Sequence, residues 1–71
     1  MESVQPVTVL SPREQQVAAL LVRNLSNRQI ADHLVITERT VAAHVEHILD
    51  KLGFASRHRI GAWAAERNLL S

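Results

Sequence analysis

The side chains in this sequence that can do chemistry are four histidines, hydroxyls recurring at intervals, and eight basic residues set against seven carboxylates. His44 and His47 stand at i, i+3 and offer two nitrogens to one side of a helix. Two ligands fall short of a zinc site, and neither a cysteine nor a carboxylate triad stands near to complete one. Their other chemistry is protonation: a free imidazole titrates near pH ~6.5 and then attracts an anion. Equally open is a structural His44 bonded to backbone with His47 in solvent. His33 and His58 read as surface residues. A hydroxyl nucleophile is no better served, because every Ser–His combination falls at a helix cap or on a helix face. There is no Gly-rich phosphate loop and no carboxylate pair framed by a pocket. The sequence is therefore read as a binding module, not an enzyme, with no cofactor and no metal.

The formal net charge is only +1. Charge balance alone does not announce a polyanion partner, and it counts against strong nonspecific adhesion to one. Placement says more. Arg39 falls in the first turn of the longest periodic segment, where a guanidinium can meet a phosphate or the O6 and N7 edge of guanine; the alternative is a solvated surface arginine. Glu46 lies two turns further on. A carboxylate there can accept from cytosine N4, yet phosphates repel it and Asp50 at i+4 adds a like charge. The reading preferred for Glu46 is solvent or a protein partner.

Four helices must position these groups. In Ser11-Pro12-Arg13-Glu14, Ser11 is the N-cap, Pro12 sits where its missing N–H costs nothing, and Glu14 completes a capping box. Val17, Leu20 and Leu21 then give one apolar stripe, so a first helix is expected over 12–23, with Asn24 tolerating a left-handed C-cap. Ser26 and Gln29 repeat the capping box and open a short helix, 27–34, whose inward face is Ile30, Ala31 and Leu34. Val35 and Ile36 interrupt the pattern before Thr37, a third N-cap. A connection of about three residues between such helices is that of a helix-turn-helix.

The third helix, 38–52, has the clearest period: Val41, Val45, Ile48, Leu49 and Leu52 face one way until Gly53 stops it. Its opposite face carries Arg39, Ala43, Glu46, His47 and Asp50, with Thr40, His44 and Lys51 on one flank and Ala42 toward the other. Ser56 is read as the cap of a fourth helix, 57–67, striped by Ile60, Trp63 and Ala64. The fold class is all-α, a four-helix bundle containing a helix-turn-helix over residues 10–71. Residues 1–9, with Pro6 and no helical period, read as a linker or tail that implies a longer parent chain. One domain of this size buries only ~60% of its unfolded surface, so stability should be marginal. No cysteine supplies a staple, no apolar run approaches a membrane span, and no signal peptide is evident. A cytoplasmic location is expected, without membrane contact.

The motifs Leu10-Ser11-Pro12-Arg13-Glu14, Leu25-Ser26-Asn27-Arg28-Gln29-Ile30-Ala31, Thr37-Glu38-Arg39-Thr40-Val41 with His44 and Val45, and Lys51-Leu52-Gly53-Phe54 with Ser56-Arg57 resemble, in order and spacing, the LuxR/FixJ-type helix-turn-helix. The resemblance runs from about Leu10 to Leu70. From Ala31 to Ala65 the wording is most similar to C-terminal domains of large actinobacterial transcription regulators, some with ATPase or nucleotide-cyclase modules upstream.

The resemblance implies a DNA-binding output domain. Its third helix would lie in the major groove of double-stranded DNA, and its fourth would form a weak homodimer on a two-fold symmetric site. Upstream sensor or ATPase/cyclase domains would belong to the parent chain. The residues assigned to DNA are Ser26, Asn27, Arg39, Thr40, Ala43, His44, His47 and Arg57, with His44 and Arg57 matching positions that lie either near the DNA backbone or in local structural bonds. Those assigned to dimerisation are Ile60, Gly61, Ala62 and Trp63, although Trp63 by its type defaults to core. Two departures weigh against strong binding: family members usually carry Lys where this chain has Ala42, and often a second basic residue where it has Glu46. The rival expectation is a helix-turn-helix retained for protein interaction or dimerisation, with weak DNA affinity.

Overall fold

The computed structural model describes residues 9–68. The four helices expected form within them: α1 (Pro12–Val22), α2 (Asn27–Leu34), α3 (Glu38–Leu52) and α4 (Arg57–Glu66). The tail expected over 1–9 lies outside the described residues apart from Val9, which packs partly buried against the core. The chain end, from Leu69, lies outside them too.

Helix starts follow the hydroxyl code. Ser11 Oγ accepts from the Glu14 amide at 3.2 Å while Glu14 Oε1 accepts from the Ser11 amide at 2.9 Å. Ser26 and Gln29 make the same reciprocal pair at 3.2 and 2.9 Å. At α3 the Thr37 hydroxyl accepts from the Thr40 amide at 3.1 Å. These bonds satisfy amides that have no partner inside the helix. Ser56 departs from the expectation. It occupies the N-cap position of α4, but its hydroxyl makes no capping bond.

Helix ends are equally local. α1 and α4 each stop one residue short of the expected boundary, with Arg23 and Arg67 as C-caps. Asn24 and Asn68 follow them with φ of 58° and 59°, the left-handed conformation that Asn tolerates. Gly53, at φ 71°, ends α3 with its amide donating to the Leu49 carbonyl at 2.8 Å. α2 ends at Leu34 as expected, but the conformation that ends it was not foreseen. Val35, a β-branched residue, holds φ 58° and ψ 50° and is 89% exposed. Its neighbours impose this: the Ile36 amide donates to the Ala31 carbonyl at 3.0 Å, Ile36 packs against the core, and Thr37 must reach its cap position. Turning the chain that sharply in three residues leaves Val35 in the left-handed region with its side chain outward.

α1 packs chiefly on α4 and also crosses α3, and α2 packs on α3. Ile30, Ile48, Ile60, Val17 and Val41 are fully buried where the helices meet. Close packing of α1 on α4 needs Gly61: a Cβ there would stand 2.9 Å from the Leu21 carbonyl oxygen. This corrects the expected dimer surface. Ile60, Gly61 and Trp63 are buried inside the chain, and of that group only Ala62 is exposed. The apolar stripe of α4 is consumed by α1, because a chain this small cannot spare an isoleucine and a tryptophan from its core.

Candidate nucleic-acid interface

α2 and α3 set the geometry of the site. Their inward faces are tied down by Ile30 and Ala31 on one helix and by Val41, Val45, Ile48 and Leu52 on the other. The side of α3 turned away from this core holds Arg39, Ala43, Glu46, His47 and Asp50, all exposed, while His44 and Ala42 are half-buried on its flanks. Neither Arg39 nor Glu46 forms a hydrogen bond or ion pair with another described residue. Among the described residues there is no group of three or more His, Asp or Glu side chains placed to hold a metal.

The hydroxyls assigned to the interface are already partly used. Ser26 Oγ accepts the Gln29 amide, which leaves its own O–H free to donate outward. Thr40 Oγ1 lies 2.9 Å from Thr37 Oγ1, so one proton of that pair is held between them and the other points elsewhere. Both residues are exposed at helix N-termini, where the partial positive charge of the helix favours an anion.

Asn27 and Arg57, thirty positions apart in sequence, are brought together. Arg57 Nη1 donates to Asn27 Oδ1 at 2.6 Å and Nη2 donates to the Leu25 carbonyl at 2.9 Å. The guanidinium thus fastens the start of α4 to the start of α2. Two of its five donors are spent on the fold.

The sequence reading missed the pairing of Lys51. Its Nζ donates to Glu14 Oε1 at 2.6 Å, joining the end of α3 to the start of α1, with the Glu14 side chain 6% exposed and that of Lys51 39%. Burial pushes the Glu14 carboxyl up, but the Lys51 ammonium and the Ser11 amide outweigh it and hold its pKa below the ordinary value. A signal was available. Glu14 falls at i−3 and i−4 from Val17 and Ala18, on the stripe that faces inward, and a carboxylate there requires a cation. With Lys51 committed, Arg39 is the one fixed cation of α3 turned wholly outward, beside Glu38, Glu46 and Asp50.

Residues 8–64 match the family model described as bacterial regulatory proteins, luxR family. The oxygen regulatory protein NreC of Staphylococcus aureus, in strains JH9, Mu3 and USA300, is 34% identical over 68 residues, covering 96% of this chain. The chain spans 31% of the length of those curated relatives. No helix among the described residues is long and apolar enough to cross a membrane. The domain that α1 to α4 build around this outward face of α3 belongs to the LuxR family of DNA-binding, helix-turn-helix transcription regulators.

Proposed function

We propose that α3 lies in the major groove of double-stranded DNA and that two copies engage a two-fold symmetric site through the outer side of α4. The chain would thereby act as the DNA-binding output of a longer transcription regulator. The observation that supports this most is the division of α3. One side is closed by the core, and the other exposes Arg39, Ala43, Glu46 and His47 from the first turn onward. A helix ~10–12 Å across fits a groove ~12 Å wide, and base edges are reached from the N-terminal part of such a helix. Thr40 and Ser26 stand beside that end, their exposed hydroxyls directed to flanking phosphates.

For the second helix of contact, α4 offers Ala62 and Ala65, exposed and small, which lets a symmetry-related helix come close. Ile60, Gly61 and Trp63 have no part in it. A face this slight gives a weak dimer, completed when two half-sites hold both copies. A longer parent chain, with a sensor or an ATPase or cyclase module upstream, is part of this proposal, supported by the curated relatives being about three times as long as this chain.

A second reading has its own support. Lys51 and Arg57 are tied up within the fold, and three carboxylates stand exposed on α3, so a helix-turn-helix kept for contact with another protein is the alternative. Selection of duplexes from a random pool, followed by affinity measurements at several salt concentrations, separates the two. The groove reading expects an enriched two-fold symmetric sequence and a log–log salt slope no steeper than about −3 per monomer. Enrichment of nothing, with the chain folded by its Trp63 emission, would establish the alternative.

A further inference from the structure

The outward face of α3 holds an arginine, an alanine and a glutamate in one line. Arg39 and Glu46 are separated by seven residues, which is two turns of helix to within about 20°, and Ala43 lies between them. Along the axis, seven residues span about 10.5 Å, which for a helix running obliquely in the groove covers about two to three base-pair steps of 3.4 Å rise. No described side chain neutralises Glu46, and Lys51, the cation five positions on, is occupied by Glu14. Whatever meets this face has to supply Glu46 with a hydrogen-bond donor or bear the cost of a desolvated carboxylate.

The major groove contains few donors. Cytosine offers its N4 amino group, adenine offers N6 beside the N7 acceptor, and guanine and thymine show only acceptors there, with thymine adding a methyl group. A carboxylate accepts and cannot donate. It is repelled by guanine and thymine, meets one favourable and one unfavourable group on adenine, and finds only a donor on cytosine.

From this we infer that Arg39, Ala43 and Glu46 read one short stretch of the half-site and that Glu46 imposes cytosine at one position. That position lies about two to three base-pair steps from a guanine held by Arg39 through O6 and N7, with the methyl of Ala43 suited to a thymine methyl in between. This rests on α3 lying in the groove as proposed above. Near phosphates Glu46 lowers affinity for every sequence, and the N4 donor restores it at one. The effect of Glu46 is therefore discrimination, not strength, which reverses the solvent-facing reading drawn from the sequence.

The test is duplex selection and competition with the chain as it stands and with Glu46→Ala, Glu46→Gln and Asp50→Ala. Both positions are exposed, so folding is checked simply by Trp63 emission and helix content. The parent chain should select a cytosine about two to three steps from a guanine, and exchange of that cytosine for thymine should weaken its binding about tenfold. Glu46→Ala should bind both duplexes within about twofold of each other. Glu46→Gln should move the preference to adenine, whose N6 and N7 an amide pairs with both its groups. Asp50→Ala should tighten all duplexes alike and leave the selected sequence unchanged. If Glu46→Ala instead tightens all duplexes by one factor and selects the parent sequence, Glu46 is a repulsive charge only and the inference fails. If the parent chain selects no sequence and Arg39→Ala alters nothing, the groove placement itself fails, a distinct result that removes the inference with it.

Discussion

Removing Lys51 and removing Glu14 should have unequal consequences, and the inequality should vanish in acid. Glu14 is almost wholly buried, whereas Lys51 keeps 39% of its side chain in solvent. In Glu14→Gln the amide oxygen still accepts from the Ser11 N–H, so the capping box survives and the lysine returns to water. In Lys51→Met the carboxylate is left buried with only Ser11 for support. Breaking a fully buried pair costs about 3–5 kcal/mol and an exposed one about 0.2–1 kcal/mol. With one partner buried and the other partly wet, Lys51→Met should cost about 1–2 kcal/mol near neutrality, and Glu14→Gln about half that. In a domain of this size each kcal/mol moves Tm by about 4–8 °C. The pKa of Glu14 is held below its ordinary value in the folded chain. Its contribution is therefore complete above the unfolded-state pKa and is lost as pH falls through the folded-state one. Melting of the parent chain, both single variants and the double variant, followed by helix content and Trp63 emission, should show coupling at pH ~7 that fades below pH ~4. A Lys51→Met deficit that persists unchanged in acid would refute the argument, because the cost would then be lost packing and not an unpaired carboxylate.

Gly61→Ala should destabilise the domain by about 1–3 kcal/mol by forcing α4 away from the Leu21 carbonyl, a result the melting curve reads directly, even though alanine is the better helix former. Val35→Gly should raise Tm by several degrees, since relieving a left-handed β-branched residue gains about 1–2 kcal/mol and glycine's added chain entropy returns only part of it; no change on melting would mean the turn holds Val35 without strain. Ala42→Lys should steepen the salt dependence of duplex binding by about one unit and tighten binding at low salt for any sequence, whereas a helix held away from DNA would respond to neither.

What could be read from the sequence was whatever is decided within four or five residues. The boxes at Ser11–Glu14 and Ser26–Gln29, the cap at Thr37 and the left-handed turns at Asn24 and Gly53 are local bargains decided by the residue and its nearest neighbours, and all are found where expected. The stripe of α3 sorted its faces for the same reason. Contacts across the chain were not legible: Glu14 with Lys51 depends on how α1 meets α3, and Asn27 with Arg57 on how α2 meets α4. Ile60 and Gly61 fit a dimer surface and an intramolecular one equally well by composition, and the burial of Ile60 with the approach of Gly61 to the Leu21 backbone decides between them. Val35 gave no signal because its conformation is set by Ile36 and Thr37, against its own preference.

The division of cations has a consequence for recognition. Lys51 and Arg57 fasten helices together, Arg59 lies 5.2 Å above the Phe54 ring and Arg67 4.7 Å above that of Trp63. The outward face of α3 is left with Arg39 against exposed carboxylates, a poor adhesive for phosphate. Nonspecific binding, which comes almost entirely from such cations, falls most. Contacts to base edges depend on geometry and matched donors, and they fall less. Since a regulator competes against an excess of wrong sites, the ratio of the two affinities matters more than either alone. A face low in charge can therefore discriminate well while each copy binds weakly, provided that two copies act on one site. On this argument the sparse charge of α3 and the proposed pairing through Ala62 and Ala65 are linked: a single copy bound by Arg39 and a few hydroxyls would dissociate too readily to regulate, and a second half-site would supply what the missing lysines do not.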